Sequence, residues 1–149
     1  MADDLEEFSA AARYLMQEWP DILKPWGFTK SAARIHALLL VHPGALTADE
    51  LFAATNISRG GISEQLRILC NAGLAERLRI LGQRQDQFTA IRDGQHIQRA
   101  LLAHWAKKIL LPMDRMKESL AAITDKHDLP WYEVIHDLRS SFDCQNTIS

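Results

Sequence analysis

The spacing of apolar residues changes period once in the middle of this chain, and that change restricts the fold more than any other feature. Ile62, Leu66 and Leu69 recur at helical steps after Ser58, a residue type suited to capping a helix N-terminus. From 77 to 90 the period becomes two. Leu78 and Ile80 alternate with Arg77 and Arg79, residues 81–85 read as a polar turn, and Phe88 and Ala90 alternate with Gln87 and Thr89. A helix therefore runs almost directly into a β-hairpin, with Gly73 as the expected helix stop. Just upstream, Thr47-x-x-Glu50 has the spacing of a capping box, in which the Thr hydroxyl accepts from the third backbone N–H and the Glu carboxylate accepts from the cap's own N–H. It predicts a helix over 48–55, separated from the next by the turn Asn56-Ile57. Two helices joined by so short a turn form a helix-turn-helix, here followed by a hairpin wing.

The flanks read as helices. Leu5, Phe8, Ala12, Leu15, Met16 and Trp19 predict a helix over 4–19, with Pro20 as its terminator. Ile35, Leu38 and Leu39 predict another over 30–41, stopped by His42-Pro43-Gly44. After the hairpin an apolar stripe from Ile97 to Ile123 predicts a helix over 95–123, kinked or restarted at Pro112. Asp128-Leu129-Pro130 opens a last helix to about 142, with Trp131, Val134, Ile135 and Leu138 as its apolar positions and a frayed tail over 143–149. The expected fold is mainly α with a small β-hairpin wing. It is one domain over 1–149, with a winged helix-turn-helix core at 29–92 and dimerisation helices at 4–19 and 95–142. The terminal stripes are longer than a small head domain can cover, and the same helices of a second copy would bury them most simply.

Charge narrows the function. The 149 residues carry a formal net charge of -2, yet 57–92 holds six basic against three acidic groups and is the one net-basic segment. Two cysteines, Cys70 and Cys144, make neither a C-x-x-C pair nor a disulfide framework. An acidic N-terminus and the lack of a long apolar run predict a soluble, cytoplasmic protein with no membrane contact. There is no H-E-x-x-H, G-x-S-x-G, phosphate-binding or dinucleotide-binding motif, so no enzyme and no cofactor is expected.

With Ile62 pointing inward, Gly60, Ser63, Glu64 and Arg67 fall on the opposite face of the helix, with Ser58 and Arg59 at its N-terminal end. A recognition helix presents side chains and N–H groups to a DNA major groove in this way. Gly60 and Gly61 weaken the helix but permit close approach of its backbone to a phosphate or base edge. Arg59 and Arg67 suit phosphate or the O6/N7 edge of guanine, and Glu64 would accept from cytosine N4 or pair with Arg67. On the hairpin, Arg77, Arg79 and Arg84, with Gln83 and Gln85 at its tip, suit a minor groove and its phosphates. The competing reading of these charges is a solvated helix face and a protected strand edge.

The ordered string of Leu51, Ser58-Arg59-Gly60-Gly61-Ile62-Ser63, Leu66-Arg67 with Leu69, Gly73-Leu74, and Gly82-x-Arg84-x-Asp86-x-Phe88 resembles the winged helix of MarR-type transcriptional regulators, in particular the GbsR-like branch. The resemblance spans about 29–90. It implies a homodimer on pseudo-palindromic double-stranded DNA, usually a repressor released by a small ligand. Ser58, Arg59, Gly60, Gly61, Ser63 and Arg67 would be recognition-helix contacts, with Arg84 the wing arginine. Gln83 departs from the pattern, since many relatives carry an Asp beside that arginine.

A small-molecule effector would be met by the aromatics Trp19, Trp26, Phe28, Trp105 and Trp131, whose faces suit a quaternary ammonium cation. The alternative is that these rings pack a dimer core. Two other classes stand beside the regulator. One is a metal-responsive winged helix using some of His96, His104, His127, His136 and Cys144, although no metal ligand set is assigned. The other is a winged helix that docks a protein without touching DNA.

Overall fold

In the computed structural model the chain is described over residues 8–123 and 130–146. It divides into two compact units, 1–104 and 105–149. The first helix, α1 (Ala10–Leu23), starts at Ser9, whose hydroxyl accepts from the N–H of Ala12 at 3.2 Å. Of the helix expected over 4–19, positions 4–7 lie outside the described residues, and Phe8 and Ser9 precede the helix. Pro20 does not end the helix but sits inside it. A proline near a helix C-terminus removes one backbone hydrogen bond, and here the extra turn carries Leu23 to complete burial, which is worth about 2 kcal/mol. A single 3-10 turn (Lys24–Trp26) and Gly27, at φ 93°, then redirect the chain so that Phe28 enters the core.

Helix α2 (Lys30–Val41) has the bounds read from the sequence and is capped by Thr29, which accepts from Ala32 N–H at 3.1 Å. Ala32, Ala33, Ile35, His36, Ala37, Leu38 and Leu39 are all buried, so this is the central helix of its unit. Strand β1 (Leu46–Thr47) leads into α3 (Ala48–Thr55), whose capping box forms with both bonds present, at 3.2 Å and 2.9 Å. Asn56, at φ 55°, ends α3 in the left-handed region. Helix α4 (Arg59–Asn71) follows its Ser58 cap and packs Ile62, Leu66 and Leu69 against Leu51, Leu39 and Leu74 in one continuous apolar cluster. Gly73 turns the chain at φ +79°. Its carbonyl lies 2.8 Å from Nε2 of His96.

Strands β2 (Ala75–Leu78) and β3 (Gln87–Ala90) pair antiparallel, with Arg77 opposite Phe88. The sheet has a third strand that periodicity missed, for β1 pairs with β3 and the order is β1-β3-β2. Two residues are too few to carry an alternation signal. The hairpin also differs from expectation. β2 begins two residues before Arg77, Ile80 lies beyond its end, and Leu78 and Ile80 are exposed while Ala75 is buried. The inward position is taken near the root of the wing, where the apolar core is, and the distal part of the wing has no core beneath it.

Helix α5 (Gly94–Ile123) continues through Pro112 as one helix, so the restart expected there does not occur. Its first part buries Ala100 and Leu101 in the first unit. In the second unit, α6 (Pro130–Asn146) extends past the expected end at 142. The opener Asp128-Leu129 lies outside the described residues. Within that unit Arg139 bonds Asp114 at 2.7 Å and Asp143 at 2.9 Å, Trp105 meets the ring of Phe142 edge-on at 6.1 Å, and Tyr132 is buried.

Candidate nucleic-acid interface

The helix-turn-helix comprises α3, the turn at 56–58 and α4. Its inner face is fully packed, which leaves Arg59, Gly60, Ser63, Glu64 and Arg67 on the exposed face of α4, with Ser58 at its end. These are the residues the helical wheel placed there, and the structure brings them together. Ser58 Oγ accepts from the N–H of Gly61 at 3.1 Å, so this hydroxyl is spent on the helix cap. The two glycines differ. A Cβ at Gly60 would meet nothing within 4 Å, and its backbone faces open space. A Cβ at Gly61 would lie 2.9 Å from Cγ2 of Ile57 and 3.1 Å from Ser58 Oγ. At Gly61 the missing side chain is therefore accounted for by the turn of the protein itself, rather than by close approach of DNA.

The charges on this face are paired. Arg59 Nη1 donates to Asp49 Oδ1, and its guanidinium lies 4.7 Å above the ring of Phe52. Arg67 forms a fork with Glu64, through Nε at 3.1 Å and Nη2 at 2.6 Å. This is the intrahelical alternative weighed for Glu64 in the sequence. The wing behaves alike. Asp86 lies 3.6 Å from Arg77 and 3.2 Å from Arg79, and Arg77 also sits over Phe88 at 5.5 Å. Gln87 donates to Gln83 at 2.8 Å. Gln85 donates from Nε2 to Asp49 Oδ2 at 2.6 Å, joining the wing to the start of α3. Arg84 is exposed at the wing tip and has no ion-pair partner among the described residues.

Asp49 is the residue that sequence reasoning missed. Its two oxygens hold Arg59 of α4 and Gln85 of the wing, and these bonds keep its carboxyl below the ordinary aspartate range, the Gln85 bond first and Arg59 second. The Arg67 bond lowers Glu64 in the same sense, and Glu64 raises Arg67. No local pattern marks Asp49, which reads simply as an acidic residue in the first turn of a helix.

One basic residue of the segment 57–92 leaves the interface altogether. Arg92 donates to the carbonyls of Leu39 at 2.9 Å, Leu40 at 3.4 Å and His42 at 2.6 Å, and to Thr89 Oγ1 at 3.3 Å. It caps the C-terminus of α2, where the helix exposes unsatisfied carbonyls and a negative dipole end.

Of the candidate effector aromatics, three belong to the first unit. Trp19 donates from Nε1 to His36 Nδ1 at 2.9 Å, Phe28 stacks on His104 at 4.0 Å, and Trp26 packs half-buried on the core. Trp105 and Trp131 belong to the second unit, the former against Phe142 and the latter about half exposed. Among the described residues no group of three or more His, Cys, Asp and Glu stands close enough to hold a metal ion. His127 and the side chain of Cys144 lie outside the described residues. Cys70 is half-buried, and burial pushes its thiol up from the usual range.

Residues 31–77 match the family model described as bacterial regulatory protein, arsR family. A crystal structure of a transcriptional regulator superposes with a TM-score of 0.67 at 22% identity, covering 93% of this chain and 92% of that one. This chain has a winged helix-turn-helix fold. Weaker likenesses include a MarR transcriptional regulator from Methanosarcina mazei Go1 (17% identity, 92% and 91% covered, TM-score 0.45). Another is MepR, a transcription regulator of the Staphylococcus aureus multidrug efflux pump MepA (16% identity, 94% and 98% covered, TM-score 0.46). No curated protein matches the sequence. In this winged helix no helix among the described residues is long and apolar enough to cross a membrane.

Proposed function

We propose that the chain is a cytoplasmic, dimeric, sequence-specific DNA-binding regulator of transcription, a non-enzymatic protein that represses at an inverted-repeat operator and is released by a small-molecule effector. The observation that carries this reading is the placement of α4 and the wing on one exposed side of the winged helix, with the unpaired Arg84 at the tip. α4 enters the major groove with Arg59, Gly60, Ser63, Glu64 and Arg67, and its Ser58-capped N-terminus meets a phosphate. The wing lies along the adjacent minor groove, with Arg84 inserted and Arg77, Arg79, Gln83 and Gln85 near the backbone.

The dimer is supported by apolar side chains that each unit leaves uncovered on its helices, namely Tyr14 and Ile22 on α1, Leu111 on α5, and Trp131, Val134 and Leu138 on α6. A two-fold pair spaces the recognition helices by about 34 Å, one turn of B-DNA. The GbsR-like placement among MarR-type regulators belongs to this reading. The effector site rests on Trp19, Trp26, Phe28, Trp105 and Trp131, rings suited to a quaternary ammonium group.

The test is selection of bound duplexes from a random DNA library, repeated with Arg67→Ala/Arg84→Ala. Recovery of one inverted repeat with half-sites about ten to eleven base pairs apart, lost in the double variant, supports the reading. Recovery of no motif at low salt overturns direct DNA recognition by the unliganded protein.

A further inference from the structure

Of the five candidate arginines on the exposed side of the winged helix, four are within ion-pair distance of a carboxylate. Asp49 takes Arg59, Glu64 takes Arg67, and Asp86 takes Arg77 and Arg79. The surface that the sequence presents as basic is therefore largely neutralised by its own fold. Two of these carboxylates hold arginines of the recognition helix. Glu64 is one step along the helix from Ser63 and holds Arg67 with both oxygens, and Asp49 reaches Arg59 from the neighbouring helix while its second oxygen holds the wing through Gln85.

Resting on the DNA-binding reading, we infer that Asp49 and Glu64 are specificity-determining counter-charges, which hold Arg59 and Arg67 away from indiscriminate phosphate contact and release them only to a matching base sequence. The physical reason is that an arginine moving from a carboxylate to a phosphate exchanges one anion for another and leaves the carboxylate facing the DNA backbone. Such an exchange releases no net counterion, so the sequence-independent part of the affinity gains little from it. A duplex satisfies both groups where it offers an acceptor edge, such as guanine O6/N7, to the arginine and an exocyclic amino group, such as cytosine N4, to the carboxylate. Asp49 has a further positioning effect, because a change in its hold on Arg59 is felt at Gln85 of the wing.

The experiment uses the full-length chain, with Asp49→Asn, Glu64→Gln and the double variant. Fluorescence anisotropy on a random-sequence duplex is measured over a salt series, and on a selected duplex where the wild type yields one. Thermal melting establishes that each variant folds. The expected result is tighter binding of the random duplex by about eightfold per freed arginine at ~0.1 M salt, with the dependence of log K on log salt steeper by about 0.9 per chain. The ratio of selected to random affinity should fall. Unchanged random-duplex affinity and unchanged salt dependence in both single variants would overturn the inference while leaving the DNA reading intact. A variant that weakens the selected duplex while leaving random-duplex affinity and salt dependence unchanged would make that carboxylate a base reader alone and overturn its role as a counter-charge. If neither wild type nor any variant binds duplex at low salt, the DNA reading itself falls, and the inference with it.

Discussion

Trp19 donates its indole N–H to Nδ1 of His36 across 2.9 Å, and the imidazole it holds is wholly buried in the first unit. Because the indole can only donate, Nδ1 must accept, and the neutral ring carries its proton on Nε2, which has no hydrogen-bond partner among the described residues. Burial lowers the His36 pKa from 6.5 to about 4. Protonation at Nδ1 would also set two N–H groups face to face. The unfolded chain therefore takes up this proton first as pH falls. The contribution of His36 to stability is intact above about pH 6.5 and is lost progressively towards pH 4. Between pH 7.5 and pH 5 the loss should be about 2 kcal/mol, read as a lower urea midpoint at constant slope. His36→Phe should flatten that dependence, and a pH-independent midpoint in the wild type would contradict the assignment.

Arg84 should behave as a cation that contacts DNA and nothing else. Arg84→Ala is expected to weaken duplex binding by about eightfold per chain at ~0.1 M salt, to reduce the salt slope by about 0.9 per chain, and to leave thermal stability unchanged. A melting temperature that falls while the salt slope stays put would place Arg84 in the fold instead.

Arg92 should show the reverse. Its four acceptors are Leu39, Leu40, His42 and Thr89, and Arg92→Ala leaves the C-terminus of α2 uncapped. The expected cost is about 1–2 kcal/mol in chemical denaturation, with the salt slope of DNA binding unaltered. A slope that drops would return this residue to the interface.

The two glycines at the start of α4 should part company. Gly60→Ala adds a methyl in open space, should stabilise the helix by about 0.5–1 kcal/mol, and should weaken DNA binding by holding the backbone off the groove. Gly61→Ala sets a methyl against Ile57 and the Ser58 cap, so the helix-propensity gain should be offset or reversed. Denaturation midpoints of the two variants moving together would show that the turn relaxes freely.

Helix α2, the Thr47–Glu50 box and the Ser58 cap were all legible in the sequence, because each depends on residues three or four apart whose hydrogen bonds close within one helical turn. The exposed face of α4 was legible for the same reason: once Ile62, Leu66 and Leu69 turn inward, the 3.6-residue period determines what faces out. Neighbours far apart along the chain were not legible. β1 is a strand through its pairing with β3, forty-two residues on in the register of Leu46 with Phe88, and its own two residues carry no period. Pro20 reads locally as a stop, yet the core reached by Leu23 outweighs one lost hydrogen bond. Arg92 counted as one more basic residue until α2 lay against it, and Asp49 as an ordinary first-turn acid until Arg59 and Gln85 converged on it. By itself, then, the sequence determined where the main helices lie, where α3 and α4 are capped, and which side of α4 is exposed. Tertiary structure decided which charges on that side find partners beyond their own helix, because the short range of hydrogen bonds and ion pairs makes such a partner a matter of distance in space, to which separation along the chain is no guide.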